Sequence, residues 1–230
     1  MRRSGFLFAI LAGCLLANLL FASRAQAQKA AAPAADRWVQ AIAAFEKADA
    51  QSPPPKDAVL FVGSSTIRLW DLKASFPDLV AINRGFGGSQ MADVLKYVHR
   101  IVTPYAPRQI VLYEGDNDLQ AGDSPAAVAA EFDQLLTEIR KKLPDVPVLV
   151  IAVKPSPSRW KLIDKQRELN RLLAARCEAD GKARLVDLGS ALVGPDGQPR
   201  EELFRADRLH LNDQGYAAWS AALRPLLDKP

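Results

Sequence analysis

The chain has 230 residues, 49% of them hydrophobic and 24% charged, with a formal net charge of +4. That composition excludes a solvated coil away from the chain ends and suits one domain with a sizeable core. Removing residues 1–27, which carry Arg2, Arg3 and Arg24 and no acid, lowers the formal charge from +4 to +1, and nothing in that balance calls for a nucleic-acid partner.

The first element is a targeting segment. Arg2 and Arg3 precede an apolar run from Phe6 to about Ala22, and Ala25-Gln26-Ala27 supplies small residues at a cleavage site. Residues 1–27 therefore read as a signal peptide, 28–35 as a flexible leader and 36–230 as a single domain, exported to the periplasm or beyond. A membrane anchor and a lipoprotein acylated at Cys14, in Leu11-Ala12-Gly13-Cys14, stay open as alternatives. The residues after Cys14 remain apolar, which weighs against the second. After cleavage no stable membrane insertion is expected. Cys177 is then the lone cysteine, so no internal disulfide forms and stability must come from the core. The oligomeric state is left open.

Trp38, Val39, Ile42 and Phe45 recur at helical spacing and predict a helix over residues 34–50, ended by Ser52-Pro53-Pro54-Pro55. The apolar run from Ala58 to Val62, stopped by Gly63, suits a buried parallel strand. Similar runs return at Leu79–Ile82, Gln109–Tyr113, Val146–Val153 and Arg184–Val186. Helical patterns lie between and after them at Met91–Val102, Ala126–Leu143, Leu162–Cys177 and Asp213–Leu227. Five strands alternating with helices predict a three-layer α/β/α sandwich on a five-stranded parallel sheet, with ligands bound beyond the carboxyl ends of the strands.

Four segments fall at those ends. Gly63-Ser64-Ser65-Thr66 follows the first strand, where a serine on a tight turn exposes its hydroxyl near helix amides; the same serines could simply cap a helix. Asn83-Arg84-Gly85-Phe86-Gly87-Gly88-Ser89 follows the second, where glycine offers a backbone amide to a developing oxyanion or merely makes a turn. Glu114-Gly115-Asp116-Asn117-Asp118 follows the third, and the Asn117 amide could donate a second hydrogen bond there. With no histidine or cysteine nearby in sequence, these acids do not suggest a transition-metal site. Asp207-Arg208-Leu209-His210 precedes the last helix. The chain has two histidines, and His99 sits in a helical run, so His210 is the candidate base, with Asp207 three residues earlier to hold its ring.

Taken together and in order, these segments resemble the SGNH, or GDSL, hydrolase family, in the platelet-activating-factor-acetylhydrolase-like branch. The resemblance runs from Phe61 to about Tyr216. It implies a flavodoxin-like SGNH fold and a Ser-His-Asp mechanism with no metal or other cofactor. Ser65 would be nucleophile, His210 base and then acid, Asp207 the triad acid, and Ser65, Gly88 and Asn117 the oxyanion hole. One departure is plain: the family's Gly-Asp-Ser is Gly63-Ser64-Ser65 here, which removes a carboxylate beside the nucleophile and is read as tuning the loop. No Gly-x-Ser-x-Gly elbow of the α/β-hydrolases occurs.

The expected partner is a small acyl ester or an acylated carbohydrate. Arg84, Phe86, Trp70, Arg159 and Trp160 are candidate substrate contacts, the last two in the run Lys154–Trp160, and they could equally be a packed rim. Short connections after the first three strands, with no insertion long enough for a lid, predict acetyl to butyryl preference. An O-acyltransferase acting on a carbohydrate and a catalytically weak carbohydrate- or lipid-binding module are the alternatives.

Overall fold

Five strands of four or five residues pair in parallel in the order β2-β1-β3-β4-β5. They are β1 (Val59–Gly63), β2 (Ala81–Gly85), β3 (Gln109–Tyr113), β4 (Val148–Ile151) and β5 (Ala183–Val186). The structure, a computed structural model, describes residues 37–227. The signal segment 1–27, the leader 28–35 and Cys14 lie outside the described residues.

The sheet is apolar on both faces because helices cover both, as the continuous hydrophobic runs require. Alternation along each strand divides the core. Leu60, Val62, Ile110, Leu112, Val148 and Val150 face helices α1 (Val39–Gln51), α4 (Met91–Ile101), α6 (Pro125–Lys142) and α7 (Ile163–Asp180), burying Ile42, Val98, Phe132 and Leu173. Val59, Phe61, Val111, Tyr113, Leu149 and Ile151 face the short helices α2 (Ser65–Arg68) and α3 (Leu72–Ser75) and the last helix α8 (Asp213–Leu223), burying Ile67, Leu72 and Trp219. Each fully buried side chain of this size contributes about 1.5–3 kcal/mol.

Local signals set the helix starts. Ser124 accepts from the Ala127 amide at 3.2 Å and Pro125 occupies the first turn of α6. Gln90 and Asp93 form a capping box on α4. No helix among the described residues is long and apolar enough to cross a membrane.

Several boundaries differ from the sequence-based expectation. Strand β2 begins two residues after Leu79, because the Leu79 amide closes a turn onto the Phe76 carbonyl at 3.0 Å. Strand β4 stops at Ile151 rather than Val153, whose amide and carbonyl are both taken by the Asn170 side chain at 2.8 and 3.0 Å. Helix α8 ends at Leu223, followed by a 3-10 turn over Arg224–Leu226 that contains Pro225. A short helix, α5 (Asp116–Ala121), forms where a loop was expected.

This topology positions the site. The chain leaves β1 toward β2, then returns to place β3 on the other side of β1, so the crossover direction reverses between β1 and β3. The segments after these two strands therefore diverge and open a crevice at their carboxyl ends.

Candidate active site

The turn after β1 depends on Gly63. Its φ is +142°, and a Cβ there would lie 2.1 Å from the Tyr113 carbonyl oxygen of β3, so no other residue fits without moving the strand. The chain then enters α2 directly. The Ser64 carbonyl accepts from the amides of Ile67 and Arg68, each at 3.0 Å. Ser64 occupies the N-cap, but its side chain makes no capping bond and it is buried. Ser65 is the first helical residue, and its hydroxyl meets His210 Nε2 at 2.9 Å. The capping role that sequence left open thus falls to the Ser64 backbone, and the Ser65 hydroxyl faces imidazole.

His210 sits at the end of a small reverse loop. Phe204 and Leu211 form an antiparallel bridge, and the Arg205 amide donates to the His210 carbonyl at 2.7 Å. Arg208 turns the loop with a left-handed φ of 56°. Inside it, Asp207 Oδ1 accepts from the amides of Leu209 and His210 at 3.0 and 2.9 Å, while Oδ2 lies 2.6 Å from His210 Nδ1. Burial raises the Asp207 pKa, but hydrogen bonds from the His210 ring and the two amides outweigh it and hold the carboxyl at about 2. A carboxylate that stays ionised at Nδ1 selects the tautomer with its proton there, leaving Nε2 as acceptor for the Ser65 hydroxyl. Below this loop, Asn212 caps α8 and the Tyr216 hydroxyl donates to the Thr66 carbonyl at 2.8 Å, tying the histidine's helix to the serine's.

The remaining two sequence candidates also meet. Gly88 has φ +80° and precedes Ser89, whose carbonyl accepts from Asn117 Nδ2 at 2.9 Å. The loop after β2 and the asparagine after β3 are thereby joined across the crevice through Ser89.

Four proposed substrate contacts are reassigned. Phe86 is 1% exposed and packs edge-on against Trp38 and Tyr97 at 5.5 and 6.3 Å, so it is core and not pocket. Trp70 is 2% exposed among Phe61, Phe76, Tyr216 and Trp219, with its indole N–H directed at Ser75 and Ser220. Arg84 is pinned on the far side of β2 by Asp49, the Tyr105 hydroxyl and the Phe45 ring. Arg159 is bound to Asp116 and Asn117 at 3.0 and 2.9 Å, which turns its fork toward the head of α5. Trp160 is half-buried and lines a cavity of about 670 Å³ beside the ends of β4 and β5, with Pro155, Ile163 and Asn170. His99 lies on α4 against Glu138 at 3.1 Å, as its helical position suggested.

Residues that sequence reasoning did not single out support this region. Glu114 is fully buried against the Ser89 hydroxyl at 2.5 Å, and Asp118 Oδ1 accepts from the Met91 amide at 2.8 Å. Burial pushes the Glu114 carboxyl well above its usual range, helped by Asp118, and pushes Asp118 up to about 6. Lys154 is buried beside Asp116 at 3.5 Å. The only early sign of these groups was a run of polar residues directly after an apolar strand. Among the described residues no group of three or more His, Cys, Asp and Glu side chains is placed to hold a metal ion.

Comparison with known proteins agrees with this architecture. Residues 68–218 match the model described as the GDSL-like Lipase/Acylhydrolase family, a span that begins just after Ser65 and includes Gly88, Asn117, Asp207 and His210. No curated protein matches the chain. Among solved structures, a Streptococcus pneumonia protein provisionally described as platelet activating factor superposes with a TM-score of 0.74 at 20% identity, covering 82% of this chain and 92% of its own. A GDSL-like lipase from Bacteroides thetaiotaomicron gives 0.67 at 18% identity, covering 80% and 96%. An acetyl-xylooligosaccharide esterase variant from Geobacillus gives 0.61 at 15%, covering 76% and 97%. At these identities the likeness is one of fold.

Proposed function

Because the chain belongs to the GDSL-like lipase/acylhydrolase family, with more than half its length matched, we propose that it is an exported serine esterase that hydrolyses short-chain acyl esters through Ser65, His210 and Asp207. The observation that carries this reading is the continuous relay from Ser65 Oγ to His210 Nε2 at 2.9 Å and from Nδ1 to Asp207 at 2.6 Å. A hydroxyl, an imidazole and a carboxylate in that order and spacing can activate a weak nucleophile at neutral pH.

In this mechanism Ser65 Oγ attacks the acyl carbon while its proton passes to His210 Nε2. Asp207 stabilises the imidazolium through Nδ1–H and keeps the ring in place. The carbonyl oxygen becomes an oxyanion held by the Ser65 and Gly88 amides and by Asn117 Nδ2. His210 then gives its proton to the departing alkoxide, and the acyl group remains on Ser65. Water, deprotonated by the same imidazole, repeats the sequence and releases the acid.

Export is the reading of residues 1–27 carried forward, and the short-acyl preference rests on the short connections after β1, β2 and β3. The test is a panel of p-nitrophenyl esters from acetate to octanoate, run with a phosphonate probe whose adduct is located by peptide mass spectrometry. Hydrolysis of the short esters with the adduct on Ser65 supports the reading; no turnover of any ester, or an adduct elsewhere, overturns it.

A further inference from the structure

Asn117 is gripped from two sides by groups that can each play a single role. The Ser89 carbonyl can only accept, and it takes a proton from Nδ2 at 2.9 Å. The Arg159 guanidinium can only donate, and its Nη2 gives a proton to Oδ1 at 2.9 Å. The amide therefore has one allowed orientation, because a flip would set two donors and two acceptors face to face. One Nδ2 proton goes to Ser89, and the other is the proton an oxyanion needs.

The arginine is itself held. Its second fork nitrogen, Nη1, contacts Asp116 Oδ1 at 3.0 Å, with the Arg159 and Asp116 side chains 11% and 5% exposed. Asp116 also receives Gln166 Nε2 at 3.3 Å, the Tyr113 hydroxyl at 3.3 Å and Lys154 Nζ at 3.5 Å. The loop that carries Arg159 is fixed at both ends of the site. The Arg159 amide donates to the Ser156 carbonyl at 3.2 Å, and the Ser158 amide donates to the Arg208 carbonyl at 3.0 Å, inside the loop of Asp207 and His210. One planar fork thus bridges two consecutive residues, Asp116 and Asn117, at the head of α5, a geometry that lysine cannot reproduce.

We propose that Arg159 is a positioning residue for the oxyanion hole: it locks the Asn117 side-chain amide and polarises it, so that the Nδ2 proton is presented to the transition state. This deepens the esterase reading and rests on it. The charge on Arg159 draws electron density toward Oδ1 and strengthens Nδ2–H as a donor, the cooperative effect expected of linked hydrogen bonds in a dry site. The benefit of the lock appears when the oxyanion forms, so its loss should lower kcat and leave KM nearly unchanged.

A double-mutant cycle on short-ester hydrolysis tests this. Asn117→Ala should cost about 10²–10³ in kcat. Arg159→Met should cost about 10–10² in kcat, with KM within about twofold, and Arg159→Lys should recover part of the loss by keeping the charge with one bond. The double variant Asn117→Ala/Arg159→Met should be no more than about twofold below Asn117→Ala alone, since Arg159 acts through the residue already removed. If Arg159→Met fails to fold in a thermal melt, the cycle is run with Arg159→Lys, for which the same coupling is expected. Additive losses, a rise in KM at constant kcat, or full activity in either arginine variant would overturn the proposal. Full activity of Ser65→Ala would instead overturn the esterase reading beneath it, so the two failures are distinguishable.

Discussion

The Ser89 hydroxyl donates to the Glu114 carboxyl at 2.5 Å in the floor of the site. The same hydroxyl also lies 3.0 Å from the Phe86 carbonyl. Burial and the neighbouring Asp118 raise the Glu114 pKa, and they outweigh the Ser89 hydrogen bond, which lowers it. Ser89 in turn presents the carbonyl that accepts from Asn117, so the buried Glu114 carboxyl supports the loop beneath the site.

Stability should therefore fall as pH rises. An acid whose folded pKa is raised binds its proton more tightly in the folded state, so its contribution is fully favourable below the unfolded pKa and is lost on the way up through the folded value. For Asp118 the window runs from an ordinary aspartate's 3.8 to about 6. The full loss is at most about 3 kcal/mol at 1.36 kcal/mol per unit. Asp118→Asn keeps an oxygen for the Met91 amide and should flatten the decline between pH 4 and pH 6 in urea melts. Glu114→Gln should fold at neutral pH, because its amide oxygen can still accept from the Ser89 hydroxyl. Parallel stability curves for wild type and Asp118→Asn would show that Asp118 is ionised throughout.

Ser65 and Ser64 should separate cleanly on substitution. Ser65→Ala removes the hydroxyl against His210 and should lower kcat by about 10³–10⁶. Ser64→Ala removes a buried hydroxyl that makes no capping bond, and its effect should stay within a few-fold. If Ser64→Ala were the inactive variant, the nucleophile would be one residue earlier than assigned.

Phe86→Ala distinguishes core from pocket. Emptying a fully buried aromatic site between Trp38 and Tyr97 should cost about 3–5 kcal/mol of stability. KM for short esters should not change in the folded fraction. A raised KM with an unaltered melting temperature would return Phe86 to the substrate surface.

Acyl preference is read from kcat/KM along the ester series. Each methylene buried in a groove adds about 0.8 kcal/mol, close to fourfold, so a long apolar groove would show a steady climb. The expected profile peaks between acetate and butyrate and declines beyond. A climb that continues to octanoate would mean a long acyl site.

Cleavage after Ala27 predicts a mature protein that begins at Gln28 by intact mass spectrometry. An N-terminus at an acylated Cys14 would make it a lipoprotein.

Legibility differed from residue to residue. Ser65, Gly88, Asn117, Asp207 and His210 could be named in advance because each sits in a short segment with a marked local composition. Arg84 and Phe86 were misplaced for the same reason. Their neighbours are glycines at a strand end, which look like open loop, while their partners come from α1, α4 and the turn containing Tyr105, far away in the chain. Arg159 reads from sequence as a candidate substrate contact, because its partners Asp116 and Asn117 lie about 42 residues upstream, beyond any local pattern.

The sequence alone determined the alternation of strand and helix, because hydrophobic periodicity and capping are properties of neighbouring residues. It also determined the order of the chemical segments. Only the tertiary structure decided which of those segments share a crevice, because that depends on the reversal of strand order between β1 and β3. Ser65 and His210 are 145 residues apart and meet at 2.9 Å through parallel pairing and the packing of α8 against the first strands. Burial decided the rest: it made Phe86 core, raised the Glu114 pKa, and turned Arg159 from a surface cation into the clamp on Asn117, since dielectric and contact depend on what the folded chain brings alongside a residue.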